Sequence, residues 1–204
     1  PAGKHLDGSV TVLAGHVAGW LDTASPEFHA YSADRGLASC QACHGADLTG
    51  GFAGIGCNAC HGGPAWKTNC GMCHGENVPG ATGVPPRTIW GYGADAVRVG
   101  GHGAHVNGSA VYGPIDCVVC HVKPTDALSP GHIDEVTGAA APTASVAFTG
   151  RAVTDGAGSA WNRATPTCSV YCHGATLSAT ANGSNTTPSW TGGAAEATCG
   201  TCHG

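Results

Sequence analysis

The sequence predicts a mostly irregular chain, with few short helices and strands, packed around something other than its own apolar side chains. Three observations carry this expectation. Leu, Ile, Val and Phe supply 30 of 204 residues, about 15%. That is too little apolar bulk to offset the conformational entropy of folding. Gly (34) and Pro (12) favour turns over regular structure. Yet disordered chains are typically highly charged, and this one is only 10% charged with a net charge of −5. Twelve Cys and twelve His resolve the conflict: they are the residues able to hold a core made of another material.

Several function classes drop out. No run approaches 18 apolar residues, so no membrane-spanning helix is expected. The eight Lys plus Arg are scattered and make no basic patch for nucleic acid. No phosphate-binding loop, serine triad order or dinucleotide glycine fingerprint occurs. The chain begins at Pro1 with neither a charged nor an apolar leader. If it is exported, the expectation is that a signal peptide has been removed.

Every cysteine belongs to a pair followed directly by histidine. Five pairs read C-x-x-C-H: Cys40, Cys43 and His44; Cys57, Cys60 and His61; Cys70, Cys73 and His74; Cys117, Cys120 and His121; Cys199, Cys202 and His203. The sixth, Cys168, Cys172 and His173, has one extra residue between its cysteines. C-x-x-C-H is the attachment signature of c-type haem. Two thiols reach the vinyl positions on one porphyrin edge, and the adjacent histidine falls under the iron as proximal ligand. The extra residue of the Cys168 motif can be looped out. Zinc knuckles or a disulfide framework use paired cysteines too, but neither calls for a histidine after every second cysteine. The expectation is six covalently bound haem c groups.

Six histidines remain: His5, His16, His29, His102, His105 and His132. Six haems need six distal ligands. The one methionine, Met72, lies between two motif cysteines, too constrained to ligate. Bis-histidine ligation of all six irons is the simplest closure, and it implies lower potentials than His/Met ligation. An iron with two protein ligands has no open position for substrate, which points to electron transfer rather than enzymatic chemistry. Only 34 residues serve each haem, so the haems must stack nearly in contact and themselves form the missing core. Trp, Tyr and Phe are expected to pack on haem edges. Ionised propionates outnumber the Lys and Arg side chains, which predicts potentials that vary with pH.

The chain also repeats. His5-Leu-Asp7 returns as His132-Ile-Asp134, and His5 precedes Cys40 by 35 residues as His132 precedes Cys168 by 36. His44 to Cys70 and His173 to Cys199 are both 26 residues, and both halves close on C-G-x-C-H-G, at 70–75 and 199–204. This predicts a first haem-binding module over 1–75 with three motifs, a connecting segment over 76–131 with one, and a second module over 132–204 with two. Together they are expected to form one continuous haem-stacked unit. Short strands are expected at Val10–Val12 and Ser145–Phe148, single helical turns at the motifs, and loops over 79–86 and 178–188.

The run from Val99-Gly-Gly-His102 through Cys117–Pro124, Pro130–Asp134, Cys168–Leu177 and Pro188–Gly193 to Cys199–Gly204 resembles the multihaem c-type cytochromes of Geobacter-like metal-reducing bacteria, with their paired C-x4-C-H and C-x2-C-H motifs. This chain departs from them in having three residues, not four, between Cys168 and Cys172. The resemblance implies an exported protein of extracellular electron transfer, at the cell surface or, second, in the periplasm. It implies other cytochromes and an extracellular metal oxide or electrode as partners. It also implies the possibility of a filament in which copies join head to tail and a distal histidine crosses the interface, His5 being the candidate. A soluble shuttle or charge store and a multihaem reductase with an open iron are the competing readings.

Overall fold

The computed structural model describes residues 15–74, 97–133 and 143–203. The expected strand at Val10–Val12, the loop over 79–86 and His5 lie outside these residues. Within them the chain is mostly coil. Four short α-helices occur: α1 (His29–Ala33), α2 (Ala38–His44), α3 (Cys70–His74) and α4 (His102–Asn107). One two-stranded sheet pairs β1 (Ala160–Asn162) with β2 (Thr167–Ser169) in antiparallel register, with Trp161 opposite Cys168. No helix among the described residues is long and apolar enough to cross a membrane.

The helices are short for a physical reason. One or two turns cannot offset the nucleation cost of a helix in isolation. None of α1, α2 and α4 has a side-chain hydrogen bond at its N-cap. Each persists where a haem motif or a spare histidine needs one turn of fixed geometry. Four of the five C-x-x-C-H motifs begin on such a turn: α2, the 3₁₀ turn Cys57–Ala59, α3 and the 3₁₀ turn Cys117–Val119. Asp116 caps the last of these, its carboxylate accepting from the Val118 amide at 3.1 Å.

The longer motif folds differently. Cys168 sits in β2, Val170 is extended and buried, and Cys172 and His173 start a new 3₁₀ turn at Tyr171–His173. The extra residue is thus absorbed by an extended link between strand and turn. The hairpin before it is closed by Asn162, whose side chain accepts from the Ala164 and Thr165 amides.

Ser145–Phe148 is not a strand. Its neighbours pair with a haem motif instead: the Ala147 amide donates to Cys120 O and the Thr149 amide to Val119 O, each at 2.9 Å. A 3₁₀ turn offers only these few carbonyls, so no ladder can extend. The loop expected over 178–188 is a run of turns, with one isolated bridge from Asn182 to His203.

Buried apolar residues are few and dispersed. Leu48, Trp66, Val99, Ala152, Ala157 and Val170 are the buried apolar residues described, and Leu48 is the largest that is fully enclosed. Meanwhile Phe52, Leu21 and Val122 stand 67–77% exposed. Among the described residues, buried apolar side chains are thus few for a chain of this length.

Candidate haem centres

Each described spare histidine faces one motif histidine. His16 lies opposite His44 with ring centroids 6.0 Å apart, and His29 opposite His61 at 5.8 Å. His132 faces His74 at 6.1 Å, His102 faces His121 at 6.1 Å, and His105 faces His173 at 6.0 Å. Two metal–imidazole bonds of about 2 Å, each extended by about 1 Å from nitrogen to ring centre, require centroids about 6 Å apart. The five gaps fit one metal ion held between two imidazoles.

The donor set also fits. Among the described residues no group of three or more His, Cys, Asp and Glu converges on one point. Two opposed imidazoles beside two cysteines are what an iron needs when a macrocycle supplies its other four ligands. The residues present therefore suit haem c: the thiols could form its thioethers, and the opposed histidines would be its ligands from the protein.

The backbone fixes which ring nitrogen is free. His44 Nδ1 donates to Ile55 O at 2.6 Å, His121 Nδ1 to Ser145 O at 2.7 Å and His29 Nδ1 to Trp20 O at 3.0 Å. His102, His105 and His132 donate likewise to Val99 O, Gly101 O and Ala127 O. A carbonyl can only accept, so Nδ1 carries the proton and Nε2 keeps its lone pair. That is the usual outer support of a metal-bound histidine.

Protonation agrees with this chemistry. Burial, reinforced by the facing His105, pulls His173 down to about 4. Burial likewise lowers His61 and His102. These imidazoles are neutral near pH 7 and available to a metal. Burial pushes the Cys168 thiol up to about 11 and raises Cys57 and Cys120 as well. A thiolate is what zinc binds; a protonated thiol is suited to thioether formation.

The close approaches are built into the sequence locally. α2 ends at Gly45, and Gly51 packs on that end with φ +45. A Cβ on Gly51 would strike the backbone of Cys43 and His44, so glycine is what lets this loop close on the first motif. Trp20 stacks on His16 with centroids 4.2 Å apart and planes 3° from parallel. His173 Nδ1 also lies 3.9 Å from Cys202 Sγ, which sets the fifth and sixth motifs side by side. A cavity of about 710 Å³ beside the fourth motif is lined by Ser145, Phe148, Trp161 and Arg163 among others. The buried Trp161 Nε1 there has no hydrogen-bond partner.

Residues 167–203 match the family model described as the Geobacter CxxxxCH...CXXCH motif. Over this segment the chain is similar to the multihaem c-type cytochromes of Geobacter-like type. The match spans the Cys168 motif despite its shorter spacing, and the Cys199 motif. No curated protein and no solved structure matches the chain. The matched motif supports covalent attachment of haem c and electron transfer of the c-type cytochrome kind. When bound, the haem supplies one-electron redox chemistry at iron. The cysteine pairs would hold the haem edge by thioethers, and the histidines, anchored at Nδ1 by backbone carbonyls, would present their Nε2 lone pairs.

Proposed function

We propose that this cytochrome is a hexahaem electron conduit in which each iron takes two histidine ligands. We propose further that it works outside the cell as a head-to-tail polymer. Its partners are then copies of itself, other cytochromes, and a metal oxide or electrode as terminal acceptor. The observation that carries the reading is the set of five opposed histidine pairs at 5.8–6.1 Å. Irons closed on both faces leave substrate no position to bind, so this donor set favours electron transfer over catalysis. The sixth motif histidine, His203, has His5 left to it by count.

The register of the internal repeat supports the polymer. His74 closes the first repeat and His132 opens the second, and their rings lie 6.1 Å apart. In the repeat His132 corresponds to His5, and His74 to His203. The same joint made between two copies brings His5 of one against His203 of the next. Such a contact is not self-complementary, and repetition of it gives an open filament rather than a closed oligomer.

Electron microscopy of the unfixed native protein at moderate salt tests this. Uniform filaments, dispersed by His5→Ala with one haem turned high-spin, are the expected result. Dispersed monomers with all haems low-spin would refute the polymer and favour a shuttle. A high-spin ferric signal in the resting native protein would favour a reductase.

A further inference from the structure

Helix α4 carries His102 and His105 at positions i and i+3, so two neighbouring sites draw their distal imidazoles from one helical turn. One side chain from far along the chain reaches both rings. The Trp190 indole meets His102 edge to face, with centroids 4.8 Å apart and planes at 87°. It lies 5.5 Å from His105 at 32°. Its Nε1 donates to Val97 O at 2.9 Å, its backbone amide donates to Pro166 O at 2.7 Å, and Trp161 of β1 stands behind it at 6.1 Å.

The turn that receives the indole is shaped for it. Gly100 has φ +39, and a Cβ there would strike the Trp190 ring. A Cβ on Gly101 would lie 3.2 Å from the same ring. The carbonyls that anchor His102 and His105, those of Val99 and Gly101, belong to this same turn. The indole is thus fixed at both ends, to the strand region and to the helix entry, with the two imidazoles against it.

We propose that Trp190 is the positioning residue for both distal histidines, setting the ring planes of His102 and His105 and so the electronic character of the His121 and His173 haems together. The inference rests on the ligand assignments above. Trp190 touches no iron; it acts through the histidines. An imidazole bonded to iron through Nε2 and anchored at Nδ1 still turns about its side-chain bonds unless a neighbour blocks it. The plane of an axial imidazole orients its π-donation to the iron, so plane rotation alters the iron's magnetic anisotropy and potential. Because one indole abuts both rings, the two sites should respond as a pair.

The test compares ferric native protein, Trp190→Leu and Trp190→Phe by haem content, low-temperature electron paramagnetic resonance and spectroscopic redox titration. Trp190→Leu is expected to keep full haem content and a wholly low-spin state while two low-spin signals move and the others stay. Trp190→Phe retains an aromatic edge and should bring the two signals part of the way back. An unmoved spectrum in Trp190→Leu would overturn the inference, as would loss of haem or a uniform shift of every signal in both variants. His102→Ala and His105→Ala separate the levels of failure. If neither produces a high-spin haem, the ligand assignments fail. If both do while Trp190→Leu is silent, the ligands stand and the Trp190 inference falls alone.

Discussion

On the proposed bis-histidine ligation, His102→Ala and His105→Ala each remove one iron ligand from the same helical turn, but they open very different loops. Nineteen residues separate His102 from its facing His121, and 68 separate His105 from His173. An iron bridging two histidines is a cross-link, and it lowers the entropy of the unfolded chain as a disulfide does. Loop-closure entropy grows as (3/2)RT ln n, so the longer loop contributes more by (3/2)RT ln(68/19), about 1.1 kcal/mol. The local losses are nearly matched, since both rings are anchored by a carbonyl of the same turn and both lie against Trp190. His105→Ala should therefore be the less stable variant by about 1 kcal/mol, or about 3 °C in melting temperature for a chain of this size. Thermal unfolding of the ferric protein followed by circular dichroism measures this. The high-spin band confirms in each variant that one ligand has gone. Equal melting temperatures, or a less stable His102→Ala, would refute the treatment of axial ligation as chain cross-linking.

Leu48 is fully buried yet held at φ +58, in the left-handed region. Leu48→Ala should cost about 2–4 kcal/mol, and Leu48→Gly should be no worse than Ala, because glycine relieves about 1 kcal/mol of backbone strain there; chemical denaturation of both variants decides it. The Thr49 hydroxyl and amide donate to the exposed Asp47 carboxylate and hold it below its ordinary value. A depressed folded value means the contribution is present above about pH 4 and lost as pH falls through the folded value, so Asp47→Asn should flatten that part of the acid-unfolding curve. The imidazole planes lie 8° apart for His16 and His44 but 68° apart for His105 and His173. Near-parallel planes split the iron d orbitals more than crossed planes do, so the ferric protein should give at least two classes of low-spin resonance; a single class would contradict these ring orientations.

The sequence made the attachment sites legible because their chemistry is local. Two cysteines and a histidine within five residues need nothing from the rest of the chain. The count singled out six spare histidines, five of them described and each opposite a motif histidine, but it said nothing of their pairing. Partners such as His74 and His132 are 58 residues apart, and nothing in the intervening residues encodes which gap each ring enters. The extra residue of the Cys168 motif was expected to be looped out; instead Val170 is an extended, buried link between strand and turn. The strand expected at Ser145–Phe148 failed because alternation of apolar residues says nothing about what lies alongside. Here the neighbour is a 3₁₀ turn whose Val119 and Cys120 carbonyls accept one bond each. Trp190 carried no local signal at all, since its meaning depends on a glycine pair 90 residues earlier.

These features make folding and haem attachment one process. The buried apolar residues described, from Leu48 to Val170, are few and scattered along the sequence. Large side chains such as Leu21 and Phe52 face solvent in the polypeptide alone. Against this stands a conformational entropy of about 1–2 kcal/mol per residue fixed. The histidine pairs join segments distant in sequence: His29 of α1 to the second motif, His132 to α3, and α4 to the fourth and fifth motifs. Binding free energy at such sites is folding free energy, as in small metal-dependent domains. Cleaving the thioethers and removing haem should therefore abolish cooperative thermal unfolding and leave a disordered spectrum in the far ultraviolet. A haem-free chain that still melted in one sharp transition would show that the polypeptide holds its shape without the irons, and the cross-link argument would fail with it.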